Sequence, residues 1–532
     1  MPRESDTQLS WMPLEDLSHG LYSDRGPLHI PPGGASAMSN FVWVEGFLRP
    51  RPGLSQVYSP YPSFAPFSAT LKHLTQYNPL TGSKSLVRVD TYPQPGFTTF
   101  RVQRYDSAMS SWVYVGGDAS TGPGAVQDPE AQFSSCNYKG KLYIAYYGAP
   151  VIQYDSTSGA LPLETYQPDP DLKPPYGPRI IAANDSTLFL ADMLDSATDP
   201  TATRVPYRVA WCDFLNASIW NGGVKGGESG YQDLVNESEP ITGLYANNVV
   251  VVAFKAREMY VSAFAGSPRY YAFKSFAKGP GCIAHSTIKE YRDGKIIWLG
   301  DDNVYICVPG TQPVPIGDPI RRRIREAAAT NVMQRSRAII DRDRDLYTLF
   351  VPRASDSRVL KAFTCNLRLG SWWEWDYDLG GGVDISDGTE YRSGNWSTTQ
   401  LIATTSNKIL QSSLNFTDDA GVTIACTWTS GVLQARQVFR DTEQAQVQMI
   451  RIFGQDTGKT VTLGMDYGNG LDRFSSKTFG TQTIDGAAKL YTDNRVTAEN
   501  FRLVLSHATA ASACPIASVI IGALPQGPTA RY

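Results

Sequence analysis

One pattern recurs between about residues 58 and 415 and limits what this chain can fold into. An apolar run is followed by a short polar turn and a second run, often closing on a tryptophan. Lys141 to Tyr147 precede Val151 to Asp155, Lys295 to Gly300 precede Asn303 to Ile306, and Asp345 to Phe350 precede Lys361 to Cys365. Six such units centre on Tyr143, Phe189, Val251, Ile297, Tyr347 and Ile402, separated by 46 to 62 residues. An earlier unit runs from Thr98 to Tyr105 and continues at Trp112 to Val115. Repeats of about 40–50 residues, each a small sheet unable to bury both faces alone, stack around an axis in a β-propeller. The spacing predicts an all-β propeller of five to eight blades.

The flanks read differently. Residues 1–57 are punctuated by Gly26-Pro27, Pro31-Pro32-Gly33-Gly34 and Pro52-Gly53, and only Phe41 to Val44 looks like a strand ahead of a turn at Glu45-Gly46. That predicts an extended N-terminal arm over 1–57, followed by the propeller over 58–415. Within the propeller span, residues 166–178 form a stiff Pro-rich connector. Residues 318–331 carry the strongest helical signal, with Asp318 as N-cap, Pro319 in the first turn and Ile320 and Ile324 on one stripe. From 416 to 532 short alternating segments such as Ile450 to Phe453 and Phe501 to Leu505 predict a small antiparallel, sandwich-like domain.

Charge narrows the partners. The 48 basic and 51 acidic residues sum to −3, which argues against a general nucleic-acid coat. Aromatic residues make up 11% of the chain and apolar residues 42%, enough for a sizeable core rather than disorder. Seven cysteines without a CxxC pair point to buried free thiols in a reducing compartment. The polar N-terminus predicts no signal peptide, and no apolar run approaches the roughly 20 residues of a membrane helix, so a soluble chain without membrane insertion, made in the cytosol, is expected.

Catalytic signatures fail on spacing. Gly454 to Thr460 has one residue too few between its glycines for a phosphate loop and precedes a strand. Asp341, Asp343 and Asp345 open like a calcium loop, but Leu346 and Pro352 stand where Gly and Glu are needed. The five histidines never occur at ligand spacing. Glu374 and Asp376, among Trp372, Trp373 and Trp375, could be a glycosidase pair. Strand alternation instead puts Trp373 and Trp375 on one face and suggests a blade strand with a buried aromatic side. The expectation is a non-enzyme with no catalytic, cofactor or metal residues. The helix arginines Arg321, Arg322, Arg323 and Arg325 are the interaction candidates, facing phosphates or an acidic neighbour.

Several segments in order resemble the propeller-type tail nozzle or hub proteins of short-tailed bacteriophages. They are Leu28 to Asn40 with Glu45 to Gly53, Arg208 to Asp213 with Ile219-Trp220, Gly279 to Ala284, Val314 to Gly317 with the helix after it, and Thr364 to Leu367 with Gly370 to Trp373. The resemblance spans roughly residues 20 to 380. It implies a structural virion protein of the tail, made in the host cytoplasm. It also implies a homohexameric ring, stacked on an adaptor ring below the portal and contacting tail fibres or spikes. The ring's lumen retains genomic DNA and opens for ejection. A carbohydrate-binding propeller or a propeller glycoside hydrolase used in host attachment is the rival reading.

Overall fold

A computed structural model describes residues 9–58, 70–94, 97–120, 132–163, 169–220, 227–235, 239–266, 270–392, 398–438, 443–455, 458–471, 473–484 and 487–526. Among the described residues, seven four-stranded antiparallel units follow one another around an axis. Blade 1 comprises Thr70–Tyr77, Ser85–Gln94, Phe97–Asp106 and Ser111–Ser120. Blades 2 to 5 span Ser134–Pro162, Ile180–Asp233, Gly243–Lys278 and Lys289–Pro315, each with four strands in chain order. Blade 6 comprises Arg337–Asp341, Leu346–Pro352, Val359–Asn366 and Ser371–Asp376.

The first strand of each blade faces the axis, and neighbouring inner strands touch. The ring closes where the inner strand of blade 7, Ile385–Arg392, meets that of blade 1: the Leu74 amide donates to Asp387 Oδ2 at 3.0 Å and the Arg392 amide to Gln76 Oε1 at 2.8 Å. The fold is thus an all-β propeller within the expected range of blade number. The recurring residues Tyr143, Phe189, Val251, Ile297, Tyr347 and Ile402 all lie in second strands, those of blades 2 to 7. The early unit at Thr98 to Val115 is instead the third and fourth strands of blade 1. Its second strand is hard to read because Arg88 and Asp90 are fully buried there, paired at 2.6 Å with the Arg88 guanidinium 5.2 Å from the Trp112 ring.

From Leu9 onward the N-terminal segment is not merely the extended arm expected over 1–57 but is built into three sheets. Gly53–Tyr58 supplies the fourth strand of blade 7, pairing antiparallel with Ile409–Ser413, whose blade is completed by Ile385–Arg392 and Thr398–Thr404. Upstream, Ser10–Leu14, Phe41–Val44 and Phe47–Pro50 join a sheet with Gln444–Gly454, Ala487–Ala498 and Ile516–Gln526. Ala35–Ser39 joins the second sheet, with Cys426–Ser430, Leu433–Gln434, Lys459–Gly468, Ser475–Ile484 and Asn500–His507. The Pro and Gly residues that suggested an arm mark the corners at which the chain changes partners. At one corner the two-residue turn Glu45-Gly46 has φ of 56° and 85°, the left-handed pair a tight hairpin needs. At another, Gly20 has φ 72°, and a Cβ there would come within 2.4 Å of the Trp372 carbonyl oxygen.

These two six-stranded sheets make a sandwich whose core runs without a break into blade 6. Val447, Ile450, Leu463, Leu505 and Ile521 belong to the same buried cluster as Tyr347, Trp372 and Trp375. This explains why Trp372, Trp373 and Trp375 are all buried although alternation places them on opposite faces. One face packs inside the propeller. The other is covered by the N-terminal strands, with Trp375 Nε1 donating to the Phe41 carbonyl at 2.9 Å.

The helix is shorter than expected over 318–331. Only Arg321–Ala327 is α-helical, between 3-10 turns at Asp318–Ile320 and Thr330–Arg335. Asp318 does not cap it; Asp318 Oδ1 accepts from Asn303 Nδ2 at 2.6 Å. The helix stops because Ala328 turns extended and bridges to Arg353, and the Ala329 amide donates to the Pro352 carbonyl. Of the Pro-rich connector, residues 164–168 fall outside the described residues; Pro170–Leu172 forms a 3-10 turn leading into blade 3.

Arg51 sits where sandwich, blade 6 and blade 7 meet, and it is 2% exposed. Its guanidinium holds the Asp419 carboxylate, with Nη1 to Oδ1 at 2.9 Å, and donates to Asn40 Oδ1 at 2.9 Å and the Asp376 carbonyl at 2.8 Å. The Tyr377 ring lies 4.0 Å away. Removing one member of a buried pair leaves an uncompensated charge and costs about 3–5 kcal/mol. Arg51→Met is therefore expected to lower the urea midpoint sharply, and adding Asp419→Leu to recover much of the loss, measured by equilibrium unfolding followed through tryptophan fluorescence.

Candidate functional site in the axial channel

Inner strands of all seven blades line a cavity of about 290 Å³ on the propeller axis. Lys72 to Thr75, Ser134 to Cys136, Ile181 to Ala183, Leu244 to Ala246, His285, Ser286, Ile288, Lys289, Arg337 and Asp387 to Thr389 line it. A vestibule of about 250 Å³, sharing Phe133, Ser134 and His285, continues it toward the ends where the inner strands begin. Strands in sheets alternate side chains between faces, but an inner strand also turns an edge toward the axis. Polar groups that would be unpaired inside a blade can therefore meet there.

Three blades contribute one connected array. Asp387 of blade 7 accepts from His73 Nδ1 of blade 1 at 2.6 Å. His73 Nε2 lies 2.8 Å from Ser135 Oγ of blade 2, and Ser135 Oγ lies 3.1 Å from Thr75 Oγ1. The Gly388 amide also donates to Asp387 Oδ1, at 2.8 Å. Burial alone would raise the Asp387 carboxyl, but His73, Arg337 and the amide donors outweigh it and hold it below the usual carboxylate range. His285 accepts from the Leu244 amide through Nδ1 at 3.4 Å, leaving Nε2 to face Ser134 Oγ at 2.9 Å. Burial, with Lys289 and His73 nearby, pushes His285 down to about 3, so it is neutral at ordinary pH. Burial likewise depresses the Lys289 ammonium. Arg337 donates to the Ser386 carbonyl at 2.8 Å and approaches Ser286 Oγ at 3.2 Å.

Sequence reasoning missed this array because its members are scattered: His73 and Ser135 stand 62 positions apart, and Asp387 lies five blades further on. Only the register of the inner strands brings them together.

The four arginine candidates divide. Arg323 binds inside the chain, its Nε and Nη2 donating to Glu374 at 2.7 and 2.8 Å. Lys361 closes on the same carboxylate and on Asp376 Oδ2. Arg323 is thus a brace for the tryptophan-rich strand, not an outward contact, and Glu374, 1% exposed, is locked in an ion cluster. Its burial between propeller and sandwich demands a cation, and the helix supplies one. Arg322 is exposed and pairs with Glu326 one turn on at 2.7 Å. Arg321 and Arg325 line a separate cleft of about 350 Å³ with Asp301 and Asp302, which meets the vestibule at Ile283 and Gln334. Among the described residues no group of three His, Cys, Asp or Glu side chains is placed to hold a metal, and no helix is long and apolar enough to cross a membrane.

No family model and no curated protein matches the chain. Solved structures with similar architecture include PorZ, a surface component of the type-IX secretion system of Porphyromonas gingivalis, at 10% identity and TM-score 0.32, covering 68% of this chain. This chain spans 42% of that protein's length. A copper-bound fungal alcohol oxidase of the AA5 family is 11% identical at TM-score 0.39, covering 88% of this chain and 99% of the oxidase. An α-L-arabinanase from Penicillium chrysogenum is 10% identical at TM-score 0.31, covering 68% and 97%. At this distance the neighbours, glycoside hydrolase and oxidase included, assign no activity; the propeller rests on the chain's own strand pairings.

Two outcomes follow from these electrostatics. Arg323→Gln, which leaves Glu374 short of a cation, is expected to cost about 2 kcal/mol or more, while Arg321→Gln with Arg325→Gln leaves the melting temperature within a degree or two. Differential scanning calorimetry separates them. His285 and His507, pushed down to about 3 and about 4 by burial, stay neutral in the fold while the unfolded chain protonates near pH 6.5. Stability is thus constant above that pH and falls below it, by up to about 1.4 kcal/mol per pH unit for each histidine, until the folded groups protonate. Unfolding midpoints between pH 7 and 4 should show this slope, and His285→Gln should shallow it.

Proposed function

We propose that this chain is a structural subunit of the tail of a short-tailed bacteriophage, a nozzle or hub that assembles with further copies into a ring of six around the DNA path. The reading starts from the ordered sequence motifs that resemble such proteins, not from the solved neighbours. The structural observation that carries it is one apolar face of the propeller. In an antiparallel blade the loops joining strands 1–2 and 3–4 fall at the same end. In blades 1, 3, 4 and 6 those loops hold Leu80, Met109, Leu215, Val249, Phe264 and Leu369, each at least half exposed. A face that exposes several large apolar side chains offers a surface for a neighbouring copy to cover. The opposite face carries the helix, where Arg321, Arg322 and Arg325 are placed for a neighbouring subunit or for phosphate.

A glycoside hydrolase needs two convergent carboxylates, and the candidate pair Glu374 and Asp376 is tied to Arg323 and Lys361 instead. The ring is tested on assembled tails. Averaged particle images are expected to show six copies below the portal-proximal adaptor. Leu80→Asp, Val249→Asp and Phe264→Asp together should leave the melting curve of the isolated chain unchanged while abolishing incorporation. A single copy at the tail tip, or normal assembly of the triple variant, overturns the reading.

A further inference from the structure

We propose that Ser135, His73 and Asp387 form a nucleophilic site in the axial channel that cleaves esters of short carboxylic acids. The geometry is that of a serine nucleophile with its base and the carboxylate that orients the base. Ser135 Oγ is within 2.8 Å of His73 Nε2, and His73 Nδ1 within 2.6 Å of Asp387 Oδ2. Such sites are recognised by geometry and role rather than by order in the chain. Here the order is His, Ser, Asp, carried by blades 1, 2 and 7.

Each member is held for its part. Asp387 receives the Leu74 and Gly388 amides, at 3.0 and 2.8 Å, so its carboxylate is fixed, ionised and aimed at the imidazole. It acts as the positioning residue: with Nδ1–H directed at Asp387, His73 presents the bare lone pair of Nε2 to the serine. Ser135 is only partly buried, and its hydroxyl is on the wall of the cavity rather than inside a blade. The cavity, about 290 Å³, has room for an acyl group of a few carbons. Lys289 and Arg337 line the same cavity and bring basic side chains to its wall.

The reaction balances within the array and water. Ser135 Oγ attacks the acyl carbon while its proton moves to His73 Nε2. The carbonyl is restored as the bond to the alcohol oxygen breaks, and His73 returns the proton to that oxygen. Water then attacks the acyl-serine, giving its proton to His73. The bond to Oγ breaks, the serine recovers the proton, and the carboxylic acid leaves. No oxidant, metal or further reactant is consumed.

The site does not depend on the tail assignment, because the array is complete within one chain. The test uses the full-length chain, a fluorophosphonate probe and p-nitrophenyl acetate and butyrate. One adduct per chain is expected, mapped by mass spectrometry to Ser135, with ester turnover that saturates. Ser135→Ala should abolish both while melting as the unmodified chain does. Asp387→Asn should slow labelling at least 100-fold, and its folding is checked by the same melting curve. If Asp387→Asn unfolds the ring closure, Ser135→Ala and the mapped adduct still decide. A folded chain that takes no adduct at Ser135, or hydrolysis that survives Ser135→Ala, overturns the proposal and leaves the array as a hydrogen-bonded tie between blades.

Discussion

The Arg51 guanidinium is the point at which three structural units become one. It reaches the closing strand of the propeller through its own backbone, the sandwich through Asn40, blade 6 through the Asp376 carbonyl, and the hairpin after blade 7 through Asp419. An arginine can do this because its planar fork offers five donors at fixed angles. Asn40 is the matching partner. It takes φ 62°, a conformation asparagine tolerates, and turns its amide between Arg51 and the Ala425 carbonyl while its backbone amide meets the Glu374 carbonyl. A buried charge at such a junction adds little to net stability over a well-packed apolar core. What it does is fix the relative seating of sheets that hydrophobic burial alone would let slide.

Burial and pairing distance also decide which parts of the molecule were legible in the sequence. Strong apolar runs at blade spacing revealed the propeller, because the second strands of blades 2 to 7 are largely buried and mostly apolar. Blade 1 was obscured where Arg88 and Asp90 are buried as a pair, which breaks the alternation a strand normally shows. Most of residues 9–58 was unreadable for another reason, the strand Phe41–Val44 with its turn at Glu45-Gly46 excepted. Apart from the local hairpin of Phe41–Val44 with Phe47–Pro50, their strands pair with segments some 350 to 510 positions away, so no local periodicity announces them, and their Pro and Gly corners look like those of an extended arm. Arg323 and Glu374 belong to one ion cluster but lie on different elements, so charge counting along the helix could only assign the arginine outward.

The axis of the ring concentrates chemistry for a topological reason. Seven inner strands converge on a narrow space, and their polar side chains meet across blades rather than along the chain. His73, Ser135 and Asp387 lie at the seam where the last blade meets the first two. Groups there link blade 7 to blades 1 and 2 and also face the axial cavity, so closure of the ring and construction of the polar array occur together. The vestibule and the arginine-lined cleft open beside the same entrance, which joins the two polar features of that face.

The closing strand also dictates an order of events during synthesis. Gly53–Tyr58 leaves the ribosome early, yet its partner Ile409–Ser413 follows only after roughly 350 more residues. At about 5–20 residues per second this is an interval of roughly 20 to 70 s, during which the strand has an unsatisfied edge. The upstream strands wait longer still, since Ser10–Leu14 pairs with Ile516–Gln526 at the far end of the chain. Apart from the Phe41–Pro50 hairpin, the strands before Gly53 gain their sheet partners only after residues beyond 425 have been made, so their edges stay open to pairing with neighbouring nascent chains on the same message.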